Sequence, residues 1–261
     1  MRWIPWSLRP VEYGQVPRGR SVGMTTARIG RCLVNPPPGG RPLAANPRET
    51  HFRLMRLPLF PLPVVLFPGA PMPLHVFEPR YRQMVARCVE GDERFGLIYH
   101  DPDRHGPFST ENGGVGCIAH IVKFQPLPDG RSLLLIRGVE RFRVEDGIES
   151  GAPYWEALAA PYEDEREDRR GLVPRRQRSI DLFYRVLEEV VKYKQPFPEI
   201  DPGLETAFQI AQAIRIDPGW QQDLLVSRRE RDRLGQLDEL LRLVLDAGTL
   251  DGTRDDPPFP F

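Results

Sequence analysis

Lysine, cysteine and long apolar runs are all scarce in this chain, and each shortage excludes something. The lysines are Lys123, Lys192 and Lys194; every other strongly basic side chain is arginine. Arginine stays protonated in proteins, so few groups here can serve as a lysine base or a Schiff-base amine. The cysteines are Cys32, Cys88 and Cys117, an odd number with no CxxC pair and no zinc-type spacing. Cys88 falls on the apolar face of an expected helix and Cys117 in an expected strand, so buried free thiols in a reducing compartment are expected. No apolar run approaches the roughly 18 residues of a membrane span. The short apolar stretches near the N-terminus are broken by Pro5 and Pro10 and make a poor signal peptide. Formal net charge is +0. No global field therefore draws the chain to nucleic acid or anionic lipid, although a local basic face stays open.

What is abundant is proline and glycine, 29 and 23 of 261 residues. Residues 1–50 are rich in Pro, Gly and Arg and carry neither helical nor strand periodicity. The segment Asn35 to Pro47 (NPPPGGRPLAANP) has too little apolar surface to offset its ordering entropy, so a disordered arm is expected. Translation is expected to begin at Met24 or Met55, Met55 standing directly before the first strand-like run. Residues 51–162 read as strands. Val64 to Phe67 is a short buried run stopped by Pro68-Gly69. Pro71 to Phe77 alternates, with prolines that suit an edge strand. Glu78-Pro79 opens a helix whose apolar face is Tyr81, Met84, Val85, Cys88 and Val89, and Gly91 closes it. Phe95 to Tyr99 and Val115 to Phe124 are further strands, separated by a polar loop from Asp101 to Gly114. Asp129-Gly130 is a hairpin turn leading into Ser132 to Ile136. Gly138 to Val144 and Tyr154 to Leu158 bring the total to about seven short strands, a density that suggests a small closed barrel.

Glu163 to Arg170 (EDEREDRR) is a charge run, read as a solvated linker. Over 163–247 the periodicity turns helical. Ile180, Phe183, Leu187, Val190 and Val191 share one face. Asp201-Pro202 and Asp217-Pro218 each read as an N-cap with a first-turn proline, and Ser227 to Glu230 as a capping box. Leu234, Leu237, Leu241, Val244 and Leu245 form the last face. Residues 248–261 read as a flexible tail. The fold class is therefore α+β: a small β-barrel followed by a helical bundle.

Chemistry is sparse. His100, Asp101, Asp103 and His105 form the densest set of potential metal ligands, but they lie in a loop with no scaffold to converge them; solvation and local turn bonds are the simpler reading. Glu78 and Arg80 flank the helix start, where Glu78 favours the positive helix end and Arg80 is expected to pair across the barrel. His75 and His120 read as hydrogen-bonded wall residues. No nucleophile elbow and no GxxxxGK[ST] phosphate loop is present, so no catalytic residue, metal or cofactor is assigned. Arg137, Arg141 and Arg143 with Phe142 form a basic strand face, which keeps RNA as an alternative partner; Glu140 and Glu145 beside them argue against it.

The blocks LPLFPLPVVLFPG (Leu57 to Gly69), LHVFEPRYRQM (Leu74 to Met84), Phe95-Gly96, VGCIAHI (Val115 to Ile121) and GVERFRV (Gly138 to Val144) resemble the N-terminal substrate-binding domain of the Lon (La) proteases. Gln222 to Leu225 and Arg231 to Leu234 look like a degraded form of that family's closing helices. The resemblance covers about Phe52 to Ala247. It implies a PUA-like β-barrel packed on a helical bundle, without the ATPase and serine-lysine protease regions of full-length Lon. It further implies a non-enzymatic, cytoplasmic module that recognises unfolded or tagged polypeptides or another protein partner, as an adaptor or holdase in protein quality control. The expected binding surface is apolar: Leu59, Phe60, Leu62, Phe67 and Met72, accepting extended segments by edge pairing and side-chain pockets.

Overall fold

A computed structural model describes residues 54–250, apart from 112, 194, 195 and 215. The expected arm over 1–50 and all but the start of the expected tail lie outside the described residues, as does Cys32. Those described belong to one compact unit, Thr50–Phe261. Six strands come with six helices, in the order β1 (Met55–Leu62), β2 (Pro71–Val76), α1 (Pro79–Glu90), β3 (Arg94–Tyr99), α2 (Pro102–His105), β4 (Val115–Pro126), β5 (Ser132–Gly147), β6 (Trp155–Pro161), α3 (Arg169–Glu189), α4 (Thr206–Ala213), α5 (Pro218–Val226) and α6 (Glu230–Leu250).

The strands form one mixed sheet in the order β2-β5-β4-β3-β1-β6. β1 and β3 are parallel and the other pairs antiparallel. The sixteen-residue β5 replaces the two separate strands expected over Ser132 to Val144. Its far half also pairs with β6, so the pairings run in a cycle from β5 through β4, β3, β1 and β6 back to β5. A small apolar cluster draws on each strand of that cycle: Leu57, Leu59, Ile98, Ile118, Phe142, Val144, Ala157 and Ala159. The larger core lies between sheet and helices, joining Phe67, Phe95, Cys117 and Ile136 to Phe183, Phe208, Leu224, Leu234 and Leu241.

A bulge in β5 decides which residues meet the helices. Ala119 pairs with Gly138 but Cys117 pairs with Arg141, so β5 carries one extra residue there. Val139 and Glu140 are exposed while Arg141 turns inward. The bulge thus separates Arg141 from Arg137 and dissolves the continuous basic face read from the sequence. Gly138 is required beside it, because a Cβ would stand 2.1 Å from the Phe67 carbonyl oxygen.

Arg141 enters the main core with a partner from the charge run. Asp164 accepts hydrogen bonds from Arg141 and, at 2.6 and 2.8 Å, from Arg233 of α6. Arg141 also donates to the carbonyls of Leu225 (2.7 Å) and Ser227 (2.8 Å), and Arg233 to that of Ser227 (2.9 Å). The Arg233 guanidinium lies 4.4 Å from the centre of the Phe208 ring, which stacks on Phe67 at 5.2 Å. Three further acids of the run are engaged as well. Glu165 pairs with Arg229, Glu167 accepts from the first backbone N–H groups of α6, and Asp168 caps α3. The solvated linker expected over Glu163 to Arg170 is therefore the seam between the sheet and the helices.

Two expected caps are also replaced. Glu230 does not return to Ser227; its carboxylate accepts from the Thr206 backbone N–H at 2.9 Å and pairs with Arg176. Asp201 closes a turn on Gly203, and α4 starts later, at Thr206. Asp217 caps α5 as expected, accepting from Gly219 and Trp220. Val64 to Phe67 is largely buried but lies outside any strand.

Burial alone would raise the pKa of Asp164, but the hydrogen bonds and charges of Arg233 and Arg141 outweigh it and hold the carboxyl below its usual range. A lowered folded pKa gives stability that is complete above the unfolded value of about 3.9 and is lost as pH falls through the folded value. Glu205, 3.9 Å from Arg233, is shifted the other way, first by burial, so its protonation on mild acidification relieves a cost. Asp164→Ala takes the hydrogen-bonded carboxylate from two buried guanidiniums, leaving Arg233 only the more distant Glu205, and is expected to lower unfolding free energy by about 3–5 kcal/mol in urea melts. Asp164→Asn should flatten the loss of stability that the native protein shows below about pH 4.

Candidate polypeptide-binding surface

The apolar residues expected to form a binding surface divide by their position in β1, β2 and the loop between them. Leu59, Phe60 and Phe67 are buried: Leu59 in the small cluster, Phe60 against Tyr81 (4.2 Å between ring centres) and Phe67 against Phe208. They belong to the core and present no surface. Leu62 and Met72 are half-buried and pack against the larger core. The apolar character of these positions does not distinguish an outward row from one covered by helices.

Exposed apolar side chains lie instead on the sheet extension made by the end of β4, the start of β5, and β2. Val122 is 52% exposed, Phe124 38% and Leu135 39%. The β3–β4 ladder runs only from Gly116 to His120, with one further bond from the Ile121 N–H to the Glu93 carbonyl. Beyond Ile121, β4 pairs with β5 alone, through Pro126. The other side of β4 over 122–126 is a free edge among the described residues. A β-bulge between Ile121 and Lys123 marks where β4 leaves β3 behind.

β2, at the other side of the extension, has a different edge. It pairs with β5 along all six residues, and Pro71 and Pro73 share one phase of it. Prolines persist in a paired strand only where the missing N–H would point away from the partner. The outer edge of β2 thereby lacks two of its donors, at Pro71 and Pro73, keeps that of His75, and is blunted against strand addition. The edge of β4 has no proline before Pro126.

A groove of about 570 Å3 lies at the other end of β4. Its walls include Tyr99, His100, His105, Phe108, Val115, Trp220 and Gln222. Phe108 bridges it to Trp155 with ring centres 5.4 Å apart, and the Gln222 side-chain N–H donates to the Val115 carbonyl at 2.9 Å. The Gln222 Oε1 is buried without a partner. The arrangement suits an apolar or aromatic group with one N–H donor. The histidine-aspartate set read from the sequence lies at this groove, and its members hold the loop. His100 meets the Gly106 carbonyl at 2.8 Å, Asp101 caps α2, and Arg104 grips Asp217 of α5 at 2.7 Å. That Arg104 hydrogen bond holds the Asp217 carboxyl below its usual range. Among the described residues, no group of three or more His, Cys, Asp or Glu is placed to hold a metal ion.

The remaining sequence-marked residues are peripheral. Arg80 pairs with its neighbour Glu78 at 2.9 Å rather than across the sheet, and stands over Tyr81 at 4.5 Å. His75 is exposed beside Phe77, and His120 lies 3.8 Å from Glu93. Both described cysteines are free and buried, and burial pushes each thiol up to about 12. No described helix is long and apolar enough to cross a membrane.

Comparison with known proteins gives a consistent set of relatives. Residues 56–242 match the family described as the ATP-dependent protease La (LON) substrate-binding domain. A Lon protease of Xanthomonas oryzae is 28% identical over 224 residues, 84% of this chain and 25% of that protein. A Lon protease of Cytophaga hutchinsonii is 26% identical over 153 residues, 58% of this chain and 18% of that protein. The chain thus matches a quarter or less of the length of these relatives. Among solved structures, the N-terminal domain of the Mycobacterium avium complex Lon protease aligns with a TM-score of 0.50 at 16% identity. That alignment covers 76% of this chain and all of the other, and it supports the fold.

The raised thiol pKa values carry a direct expectation. In the native protein Cys88 and Cys117 should react with a thiol reagent at pH 8 at least tenfold more slowly than in urea, followed residue by residue by mass spectrometry.

Proposed function

Because the chain belongs to the LON substrate-binding domain family, we propose that it is a non-enzymatic polypeptide-recognition module that captures extended segments along the free edge of β4. The observation that carries this reading is the contrast between the two edges of the sheet extension. One is blunted by Pro71 and Pro73; the other is open and flanked by exposed Val122, Phe124 and Leu135. An added strand finds unpaired backbone groups there for affinity and apolar neighbours for alternate side chains. This placement replaces Leu59, Phe60 and Phe67; Met72 lies on β2 within the extension, whereas Leu62 ends β1 beside Tyr99, at the opposite end of β4.

The reading includes a role as adaptor or holdase in protein quality control, in the cytoplasm. Two buried free thiols are compatible with a reducing compartment. It also includes a PUA-like barrel over 51–162 and a helical subdomain over 163–247. The cyclic strand pairing, and the small cluster fed by all five strands of the cycle, support the barrel. RNA is the weaker partner, since Arg141 of the basic strand is committed to Asp164 inside the core.

Fluorescence anisotropy with a labelled, permanently unfolded polypeptide tests the proposal. The native chain should bind saturably. Val122→Ser with Phe124→Ser, and separately Phe124→Pro, whose N–H faces the free edge as that of Lys123 does not, should weaken binding at least tenfold while the melting temperature stays within a few degrees. Leu243→Ser, which removes an exposed apolar residue on α6, should leave affinity unchanged. Equal affinity in all variants would place the binding elsewhere, and no binding by the native chain would reject the function.

A further inference from the structure

The packing of α3 against α6 leaves a second cavity, of about 450 Å3, unconnected with the sheet extension by any shared residue. Arg175, Arg178 and Arg185 of α3 and Arg242 of α6 line it, with Asp181 and Asp238. The three α3 arginines are three and seven residues apart, so they form one stripe along the helix. Four guanidiniums therefore face two carboxylates.

The carboxylates are already occupied. Asp238 accepts from the Ser179 hydroxyl at 2.6 Å and has Arg242 at 3.9 Å; Asp181 accepts from the Gln177 amide at 2.9 Å. Arg185 is paired with Glu189 at 3.3 Å, and Arg178 donates to the Pro174 carbonyl at 3.2 Å. Arg175 is different. Its Nε is buried and makes no hydrogen bond although the residue as a whole is half-buried, and among the described residues no carboxylate lies within ion-pair distance of its guanidinium. Elsewhere the protein supplies its buried guanidiniums with acids: Arg141 and Arg233 have Asp164, and the adjacent Arg176 has Glu230. Arg233 also has an unpartnered Nε, but its two terminal nitrogens are paired. Gly235 opposite keeps the space open, since a Cβ there would come within 3.2 Å of the Arg175 Nη2.

A buried guanidinium donor without a partner is costly. Its planar fork matches the oxygen pairs of a carboxylate or a phosphate. We propose that this cavity is a binding site for a small phosphate-bearing ligand, a free phosphomonoester, with Arg175 as the central contact and Arg178 and Arg242 beside it. The volume lies within the range of small-ligand pockets and exceeds what the anion alone needs, leaving room for the esterified group. The site is independent of polypeptide capture on β4.

Calorimetric titration of the full chain with inorganic phosphate and with glycerol 3-phosphate, against sodium chloride at matched ionic strength, tests this. Saturable one-to-one binding of both is expected, tighter for the ester. Arg175→Gln should weaken it at least tenfold, and Arg170→Gln, an exposed arginine outside the cavity, less than twofold. Arg178→Gln, at the rim, should also weaken binding and carries the test if Arg175→Gln does not fold. Vesicles containing phosphatidic acid should not bind; retention on them with no binding of the free ester would overturn the assignment. So would absence of saturable binding, or loss in Arg170→Gln as large as in Arg175→Gln.

Discussion

Asp164 holds one carboxylate between two arginines that come from different halves of the chain. Arg141 arrives from β5 and Arg233 from α6. Each guanidinium is taken almost wholly out of water, a state tolerable only with an acid and carbonyls around it. The carbonyls come from Leu225 and Ser227 at the end of α5, and Phe208 of α4 lies under Arg233. Three helices, α4, α5 and α6, are thereby tied to the bulge of β5. Removing the carboxylate would leave the bulge pointing a charge into an apolar core.

This node also explains why the polypeptide surface falls where it does. The helices cover the sheet along the part of β5 that carries Arg141, and the main core continues from Ile136 and Cys117 into Phe208 and Leu234. The end of β4 and its partners on β5 and β2 extend past β3, so β4 is left with an open edge. A strand that would pair with it competes with water rather than with another part of the described fold.

Much of the scaffold is legible in the sequence because local physics dictates it. The helix α1 follows from its periodicity and Pro79, the hairpin between β4 and β5 from Asp129-Gly130, and the start of α5 from Asp217-Pro218. The family resemblance read from the proline-rich first strand is matched by the comparison over residues 56–242. What was not legible depends on the third dimension. The bulge at Val139-Glu140 leaves no signature in a strand that alternates well on both sides of it. EDEREDRR has the composition of a solvated linker, and only the approach of Arg141 and Arg233 draws Asp164 half-buried against the core. For the same reason Leu59, Phe60 and Phe67 look like a surface stripe until the cluster and helices that cover them are known. Val122 and Phe124 belong to an apolar run, and only the shorter reach of β3 uncovers them.

The central claim is that the Asp164 node makes the strand-rich and helical halves one cooperative unit. Native-state hydrogen exchange in increasing urea reads this directly. The slowest amides of β4 and of α6 should converge on a single unfolding free energy, with the same dependence on denaturant. Exchange of α6 through a separate opening, several kcal/mol below that of β4 and unaffected by Asp164→Asn, would contradict it.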